Sequence, residues 1–188
     1  MRLNWPNFLT CLRILMIPLF VGVFYSEQNY LSEELQNKIA TLVFTLAALT
    51  DWLDGWLARR LNQTSAFGAF LDPVADKLMV VAALIILLQL GRVDAAIAFI
   101  IIGREIAISS LREWMANIGQ GKSVAVSFLG KVKTFAQMLA IPLLLYKDPM
   151  GSFEPLFWGG LLIVLAAGLT LISMGYYLKK AWLVSHSL

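Results

Sequence analysis

Sulfur and imidazole ligands are almost missing from this sequence, which has one cysteine, Cys11, and one histidine, His186. A single cysteine excludes a disulfide within the chain, and a single histidine excludes a multi-histidine metal centre. Charged residues are also scarce, at 14% of 188 residues, whereas soluble domains carry about 25%. With 59% hydrophobic residues and a mean hydropathy of +0.74, the chain is predicted to be an integral membrane protein with a single domain over residues 1–188. The net charge of +3 gives no indication of a nucleic-acid partner.

The sequence contains several long apolar runs. The run from Ile39 to Thr50 is too short to cross a membrane, which takes about 20 residues, so we extend that helix through the following aspartates to Arg59. Residues 60–71 are then predicted to be a connector. The fold class predicted is all-α, with six transmembrane helices at about 8–25, 36–59, 73–90, 95–116, 128–146 and 155–178.

The distribution of lysine and arginine predicts the orientation of these helices. Six spans place both termini on one side, and that side collects twelve of the fifteen cations, leaving only Lys38, Arg92 and Lys147 opposite. Because cytoplasmic loops carry the excess of positive charge, we expect a multi-pass membrane protein whose termini and aspartate cluster face the cytoplasm.

Four carboxylates fall within the short stretch from Asp51 to Asp76. Asp51 and Asp54 are three residues apart and Asp72 and Asp76 four apart, so each pair shares one helix face. Carboxylates are costly in a membrane unless they pair, bind ions or act chemically. An all-oxygen cage of this kind suits magnesium, manganese or calcium better than zinc.

The residues around the aspartates suit a phosphate ligand. Gly55 and Ala58 leave bare backbone beside the carboxylates, and Arg59 supplies a forked cation. Simpler interpretations exist for single features. Asp72 could be a helix N-cap with Pro73 at the first helical position, and Asp51 and Asp54 could be solvated charges at a helix end.

A second set of cations lies inside or beside the apolar helices, namely Arg104, Arg112, Lys131 and Lys133. Arginine within an apolar helix should face the bundle interior and a partner. Glu105 and Glu113 could neutralise these cations structurally, or a phosphate could bind them. Arg13 has a similar ambiguity, because its side chain could reach the headgroups or line a site with Asn7 and Thr10, which precede it at spacings of three.

The stretch 51–76 resembles the signature of the CDP-alcohol phosphatidyltransferase family, D-x-x-D-G-x-x-A-R-x(8)-G-x-x-x-D-x-x-x-D. Every fixed position is met, and the spacer runs from Arg60 to Phe67. Two further segments, Asn7-Phe8-Leu9-Thr10 and Gly130-Lys131-Val132-Lys133-Thr134, are similar to the bacterial branch of the family that uses glycerol-3-phosphate. The resemblance therefore covers nearly the whole chain.

The resemblance implies a reaction. CDP-diacylglycerol would donate its phosphatidyl group to sn-glycerol-3-phosphate, giving phosphatidylglycerophosphate and CMP. Two divalent ions, Mg²⁺ or Mn²⁺, would assist, with Asp76 as the general base. The metal ligands implied are Asp51, Asp54, Asp72 and Asp76.

The resemblance also implies two phosphate sites and, beyond membrane lipids, a homodimeric partner. Another acceptor, such as phosphatidylglycerol or inositol phosphate, stays open, as does a cation transporter whose aspartates carry ions. The acceptor phosphate would lie against the four cations of the later helices, Arg104, Arg112, Lys131 and Lys133. The donor nucleotide would be held by Asn7, Thr10, Arg13, Thr50, Gly55, Ala58, Arg59 and Gly68.

Overall fold

A computed structural model describes residues 5–26, 30–61, 66–119 and 128–185 of the chain. Within these ranges, side chains are described for 10–26, 30–51, 71, 73–119 and 130–183. Every regular element there is helical, which confirms the predicted all-α class for this part of the chain. The helices are α1 Trp5–Tyr25, α2 Glu33–Leu61, α3 Ala66–Gln89, α4 Ala95–Asn117, α5 Phe128–Tyr146 and α6 Pro155–Ser185.

The start of α3 differs from the prediction. The helix begins at Ala66, so Pro73 lies inside it and Asp72 is not its N-cap. Proline has no N–H group and fits the first turn best, but a helix can continue through it where neighbouring groups satisfy the freed carbonyl. The predicted connector 60–71 is therefore wrong at both ends, because α2 reaches Leu61 and α3 already includes Gly68. Asp72 and Asp76 consequently belong to one continuous helix.

The core is formed by apolar side chains from all six helices. Phe20, Phe44, Leu84, Ile101 and Leu144 are fully buried or nearly so within one cluster. A smaller cluster joins α4 to α6, and its centre is Tyr177, whose side chain has no solvent exposure. In a membrane, close van der Waals packing of such side chains, rather than their removal from water, holds the helices together.

Helices α5 and α6 approach each other closely at Gly159. A β-carbon added there would lie 2.8 Å from Leu144 Cγ and 3.1 Å from Leu143 Cβ. At the adjacent Gly160, by contrast, an added β-carbon would meet no atom within 4 Å among the described residues. Gly159 thus sets the spacing between the two helices.

A buried arginine fastens one end of the bundle. Arg92, in the turn after α3, donates to the carbonyl oxygens of Leu144 and Leu145 at 3.1 and 2.9 Å. Its other nitrogen donates to Asn37 Oδ1 at 2.9 Å and contacts Glu33 Oε1 at 3.3 Å. These bonds join the start of α2, the α3–α4 turn and the end of α5. We call this end of the molecule the Arg92 end.

The outer surface of the helices is apolar. By length and mean hydropathy (2.2), one helix of the described part, Pro155–Leu183, is suited to cross a membrane, and a shorter apolar stretch covers Thr10–Tyr25. The other helices expose large apolar side chains as well. These include Leu15, Leu19, Leu42, Leu46, Leu78, Ile85, Phe99, Ile106, Phe135 and Leu139.

Candidate functional site

A buried arginine on α1 connects the two halves of the aspartate motif. Arg13 Nη1 lies 2.7 Å from Asp76 Oδ1 on α3 and 3.1 Å from Asp51 Oδ1 on α2. The Arg13 side chain is 1% exposed, whereas the side chains of Asp51 and Asp76 are 47% and 37% exposed. The cation is therefore withdrawn into the bundle while both carboxylates keep an open face.

Helix geometry places these groups at the end of the molecule away from Arg92. Asp51 lies about 27 Å along α2 from Glu33, because each helical residue adds about 1.5 Å. Thr10 lies one turn before Arg13 on α1 and is also buried, as expected for residues three apart. The sequence thus carries the polar face of α1 to the same level as the aspartates.

A second ion-paired group lies on α4 and α5. The Lys133 ammonium is bonded to Glu105 Oε1, and Arg104 Nη1 lies 3.3 Å from the same oxygen. Arg104 Nη2 also donates to the hydroxyl of Ser173 on α6 at 3.4 Å. Two cations therefore share one carboxylate, and the group retains a net positive charge.

One cavity of about 410 Å³ joins these two groups. Arg13, Asp51 and Asp76 line what we call its aspartate side. Its lysine side is formed by Lys77 and Lys133 with Glu105, and Thr134 and Gln137 complete the polar lining. The remaining walls are apolar, with Phe44, Ala47, Ala48, Pro73, Met79, Val80 and Met138.

The charges that line the cavity balance one another. Its described lining has three cations, on Arg13, Lys77 and Lys133, and three carboxylates, on Asp51, Asp76 and Glu105. Charges held in a partly apolar cavity need partners close by. An incoming cation or phosphate would therefore compete with the ion pairs that Arg13, Asp51 and Asp76, or Lys133 and Glu105, form with one another.

A sequence model described as CDP-alcohol phosphatidyltransferase matches residues 3–172. The chain belongs to the CDP-alcohol phosphatidyltransferase family. Whether the aspartates belong to an enzyme or to a transporter is thereby answered in favour of a transferase. Enzymes of this family generally depend on a divalent metal.

Three bacterial relatives carry the name CDP-diacylglycerol–glycerol-3-phosphate 3-phosphatidyltransferase. The protein from Pseudomonas fluorescens is 48% identical over 183 residues, covering 96% of this chain and 91% of the relative. The Haemophilus influenzae protein is also 48% identical, with 96% and 95% covered. The Yersinia enterocolitica protein is 48% identical over 184 residues, with 97% of each chain covered.

The predicted site residues divide into three groups. Arg13, Asp51, Asp76 and Lys133 line the cavity. Five others are described but do not line it, namely Thr10, Thr50, Arg104, Arg112 and Lys131. The side chains of the remainder lie outside the described residues; these are Asn7, Asp54, Gly55, Ala58, Arg59, Gly68 and Asp72.

Three of the residues that do not line the cavity have other contacts. The Thr50 hydroxyl donates to the carbonyl oxygens of Leu46 and Ala47 on its own helix, at 2.7 and 2.9 Å. The guanidinium carbons of Arg104 and Arg112 lie 5.9 and 5.5 Å from the centre of the Tyr177 ring. That distance allows a cation–π attraction from both. Lys131 is exposed, although Lys133 two residues later is buried.

Lys77, Thr134 and Gln137 line the cavity but were not among the predicted site residues. A usable signal existed for Gln137. It follows Lys133 by four residues and therefore shares its helix face. Lys77 follows Asp76 directly and was assigned only to the charge count for orientation.

The residues fit a divalent metal on the aspartate side. Asp51 and Asp76 present open carboxylates, and Asp54 and Asp72 belong to the same two helices at spacings that share a face. Oxygen donors of this kind suit a hard cation. Among the described side chains, no three acidic, histidine or cysteine residues form a group that could hold an ion.

Proposed function

We propose that this chain transfers the phosphatidyl group of CDP-diacylglycerol to sn-glycerol-3-phosphate, releasing CMP. The observation that supports it most is the single cavity shared by Asp51, Asp76 and Lys133 in a chain 48% identical to relatives bearing that name. A carboxylate side and a cationic side in one cavity suit a reaction in which a metal-bound pyrophosphate meets a phosphorylated alcohol.

The donor belongs to the aspartate side. The pyrophosphate of CDP-diacylglycerol would lie over Asp51, Asp54, Asp72 and Asp76, which are the ligands proposed for two divalent ions, Mg²⁺ or Mn²⁺. When bound, these ions neutralise charge developing on the phosphates and stabilise the leaving group. Asn7, Thr10, Arg13, Thr50, Gly55, Ala58, Arg59 and Gly68 are proposed to hold the nucleotide and its phosphates.

Asp76 is the proposed general base. Its carboxylate lines the cavity and is oriented by the 2.7 Å bond from Arg13. It would take the proton from the terminal hydroxyl of the acceptor as that oxygen attacks the phosphorus bearing diacylglycerol. A new phosphorus–oxygen bond forms, the phosphoanhydride bond breaks, and CMP leaves with the bonding electrons.

The acceptor phosphate belongs to the lysine side. Lys133 and Lys77 line the cavity. Arg104 does not line it but forms an ion pair with Glu105, which does. A phosphate dianion would compete with Glu105 for Lys133, which is a strong charge-assisted contact. Arg112 and Lys131 are the further cations proposed from the sequence.

We assign the chain to the bacterial inner membrane as one domain with six spanning helices. The exposed apolar side chains on the helices and the match over residues 3–172 support this. The positive-inside rule supports cytoplasmic termini and a cytoplasmic aspartate side. A homodimer, implied by the family resemblance, is proposed with them.

Labelling of single cysteines tests the orientation. In a Cys11→Ser background, Lys38→Cys and Lys179→Cys place one thiol at each end of the bundle. A membrane-impermeant maleimide added to intact spheroplasts should label Lys38→Cys at once and Lys179→Cys only after lysis. Labelling of both in intact spheroplasts would contradict the orientation.

CMP release from CDP-diacylglycerol tests the reaction. We expect wild-type protein to release CMP only with glycerol-3-phosphate and a divalent ion present. Asp76→Asn should lower the rate by about 10²–10⁴-fold, the usual contribution of a general base. Glu154→Gln removes an exposed carboxylate before α6 and should leave the rate unchanged. Release without any acceptor would indicate hydrolysis, and no release would refute the assignment.

The acceptor can be exchanged in the same assay. Inositol phosphate carries the phosphate that the lysine side favours, whereas phosphatidylglycerol presents its alcohol from within the membrane. Faster release with either than with glycerol-3-phosphate would keep the family chemistry but change the acceptor.

A further inference from the structure

Gln137 carries a buried amide whose oxygen has no hydrogen-bond donor in the described part of the chain. The residue is 3% exposed and lines the cavity beside Lys133 and Thr134. A buried acceptor without a partner is unfavourable and uncommon in folded proteins. The terminal torsion of glutamine is soft, so a modest rotation would turn this oxygen toward a ligand in the cavity.

The chemistry of the cavity restricts what this oxygen can bind. An amide oxygen accepts hydrogen bonds and offers none, so its partner has to be an N–H or O–H group. The amide is neutral, and the three cations and three carboxylates of the described lining already balance, so its partner does not need to carry a charge. A substrate hydroxyl is such a partner, since it is neutral and donates a hydrogen bond.

We propose that Gln137 recognises the secondary hydroxyl of the acceptor, and this rests on the function proposed above. A phosphate dianion has no proton to donate. The terminal hydroxyl of glycerol-3-phosphate gives its proton to Asp76. Only the C2 hydroxyl remains as a donor on the acceptor, whose phosphate is held one helical turn away by Lys133. Gln137 is accordingly a specificity-determining residue for a 1,2-diol phosphate over a simple alcohol phosphate.

Removing the hydroxyl from the substrate and the amide from the protein tests this. The substrate analogue is 3-hydroxypropyl phosphate, which has the phosphate and terminal hydroxyl but no C2 hydroxyl. Wild type should prefer glycerol-3-phosphate by about 10–100-fold in kcat/KM, since the analogue leaves the buried amide oxygen without a donor. In Gln137→Met, of similar volume, the preference should fall to within about threefold of unity, because the acceptor oxygen proposed to bind the hydroxyl is gone.

The preference is a ratio within one preparation, so partial unfolding of Gln137→Met does not change it. Gln36→Met is the matched control, because Gln36 is also buried but donates to the Ser26 carbonyl at the Arg92 end. It should keep the wild-type preference. A preference that survives in Gln137→Met overturns the inference.

Two further outcomes separate this inference from the function on which it rests. Equal use of both acceptors by wild type overturns the role of Gln137 and leaves the transfer reaction standing. Transfer to neither acceptor refutes the proposed function itself. The last comparison uses the 2′-deoxy analogue of CDP-diacylglycerol as the donor. If wild type discriminates between this analogue and CDP-diacylglycerol but Gln137→Met does not, the amide binds the donor ribose and the inference is overturned.

Discussion

Arg13 donates from one nitrogen to carboxylates on two different helices, 2.7 Å from Asp76 and 3.1 Å from Asp51. The arginine is buried, and both carboxylates open toward the cavity. Arg13 therefore supplies the positive charge that holds these two aspartates together when no other cation binds them. A divalent ion bound to the same carboxylates would share this task.

Arg13→Gln should destabilise the metal-free protein and make it more responsive to metal. Loss of a bond to a charged group costs about 1.5–3 kcal/mol, and without the guanidinium the carboxylates repel each other. Because a ligand stabilises according to its affinity, Mg²⁺ should raise the Tm of Arg13→Gln more than that of wild type. Thermal unfolding in detergent, with EDTA and with Mg²⁺, measures both effects.

Arg92→Gln is the control for this experiment. It removes an arginine from the other end of the bundle, where the side chain is 5% exposed, compared with 1% for Arg13. Its Tm should fall, but its response to Mg²⁺ should equal that of wild type. Equal responses in all three proteins would contradict the role given to Arg13.

Lys133→Met should selectively weaken binding of the acceptor glycerol-3-phosphate. We expect KM for glycerol-3-phosphate to rise by about 10–100-fold, the loss of one charge-assisted bond, with KM for CDP-diacylglycerol changed less than about threefold. Lys179→Met removes an exposed lysine from α6 and should alter neither constant. Steady-state kinetics with each substrate varied in turn gives both values.

The same kinetics distinguish the two lysines of the motif. Lys133 is 1% exposed and lines the cavity, whereas Lys131 is exposed. Lys131→Met should therefore affect the acceptor KM less than Lys133→Met does. A larger rise in the acceptor KM for Lys131→Met than for Lys133→Met would mean that the acceptor phosphate binds outside this cavity.

Gly159→Ala should destabilise the fold, because its new β-carbon would lie 2.8 Å from Leu144 Cγ. Forcing a methyl group into a packed interface costs about 1–3 kcal/mol. Gly160→Ala has open space and gains helix propensity, so it should be neutral or slightly stabilising. Unfolding in a mixed-detergent titration compares the two, and equal changes in stability would contradict the close contact assigned to Gly159.

The Arg92 end should respond to acid. The hydrogen bond and charge of Lys147 lower the pKa of Glu33 from its usual value of 4.5, and Arg92 lowers it further. Its stabilising contribution is complete above pH 4.5 and is lost as the pH falls through the lowered value. Since Glu33 is more than half exposed, its contribution to the free energy of unfolding should not exceed about 1 kcal/mol.

Glu33→Gln measures this contribution directly. Its deficit in unfolding free energy relative to wild type should be present at pH 7 and smaller at pH 4, below the usual carboxylate value of 4.5. Glu154→Gln, at another exposed carboxylate, should show no comparable change with pH. A Glu33→Gln deficit that is constant between the two pH values would contradict the assignment.

Helix positions were largely predictable from the sequence because they depend on local patterns. Apolar run length located the helices, and the i, i+3 and i, i+4 spacings placed each aspartate pair on one face. The start of α3 was not predictable from Pro73, whose usual place is a helix N-terminus. The helix instead begins seven residues earlier, at Ala66.

The composition of the site was predictable only in part, because its side chains contact residues that are distant in the sequence. The sequence placed Arg13 on the polar face of α1, but its contact with Asp76 spans 63 positions. The register of α5 decides that Lys133 rather than Lys131 faces the cavity. Gln137 is one of several polar residues near the start of α5, and its place in the cavity depends on neighbours that are distant in the sequence.

The Arg92 bonds also have a mechanical consequence. They tie the α3–α4 turn to α5 through the main-chain carbonyls of Leu144 and Leu145, and to α2 through the side-chain amide of Asn37. The ion pairs around the cavity, by contrast, can be exchanged for ligand contacts. We expect the helices to pivot about the Arg92 end and to splay at the aspartate end when CDP-diacylglycerol enters, which pairs of spin labels at the two ends would register as a change at one end only. The Arg92 end would then be the fixed hinge of the bundle, and the lipid would enter between the helices at the aspartate end.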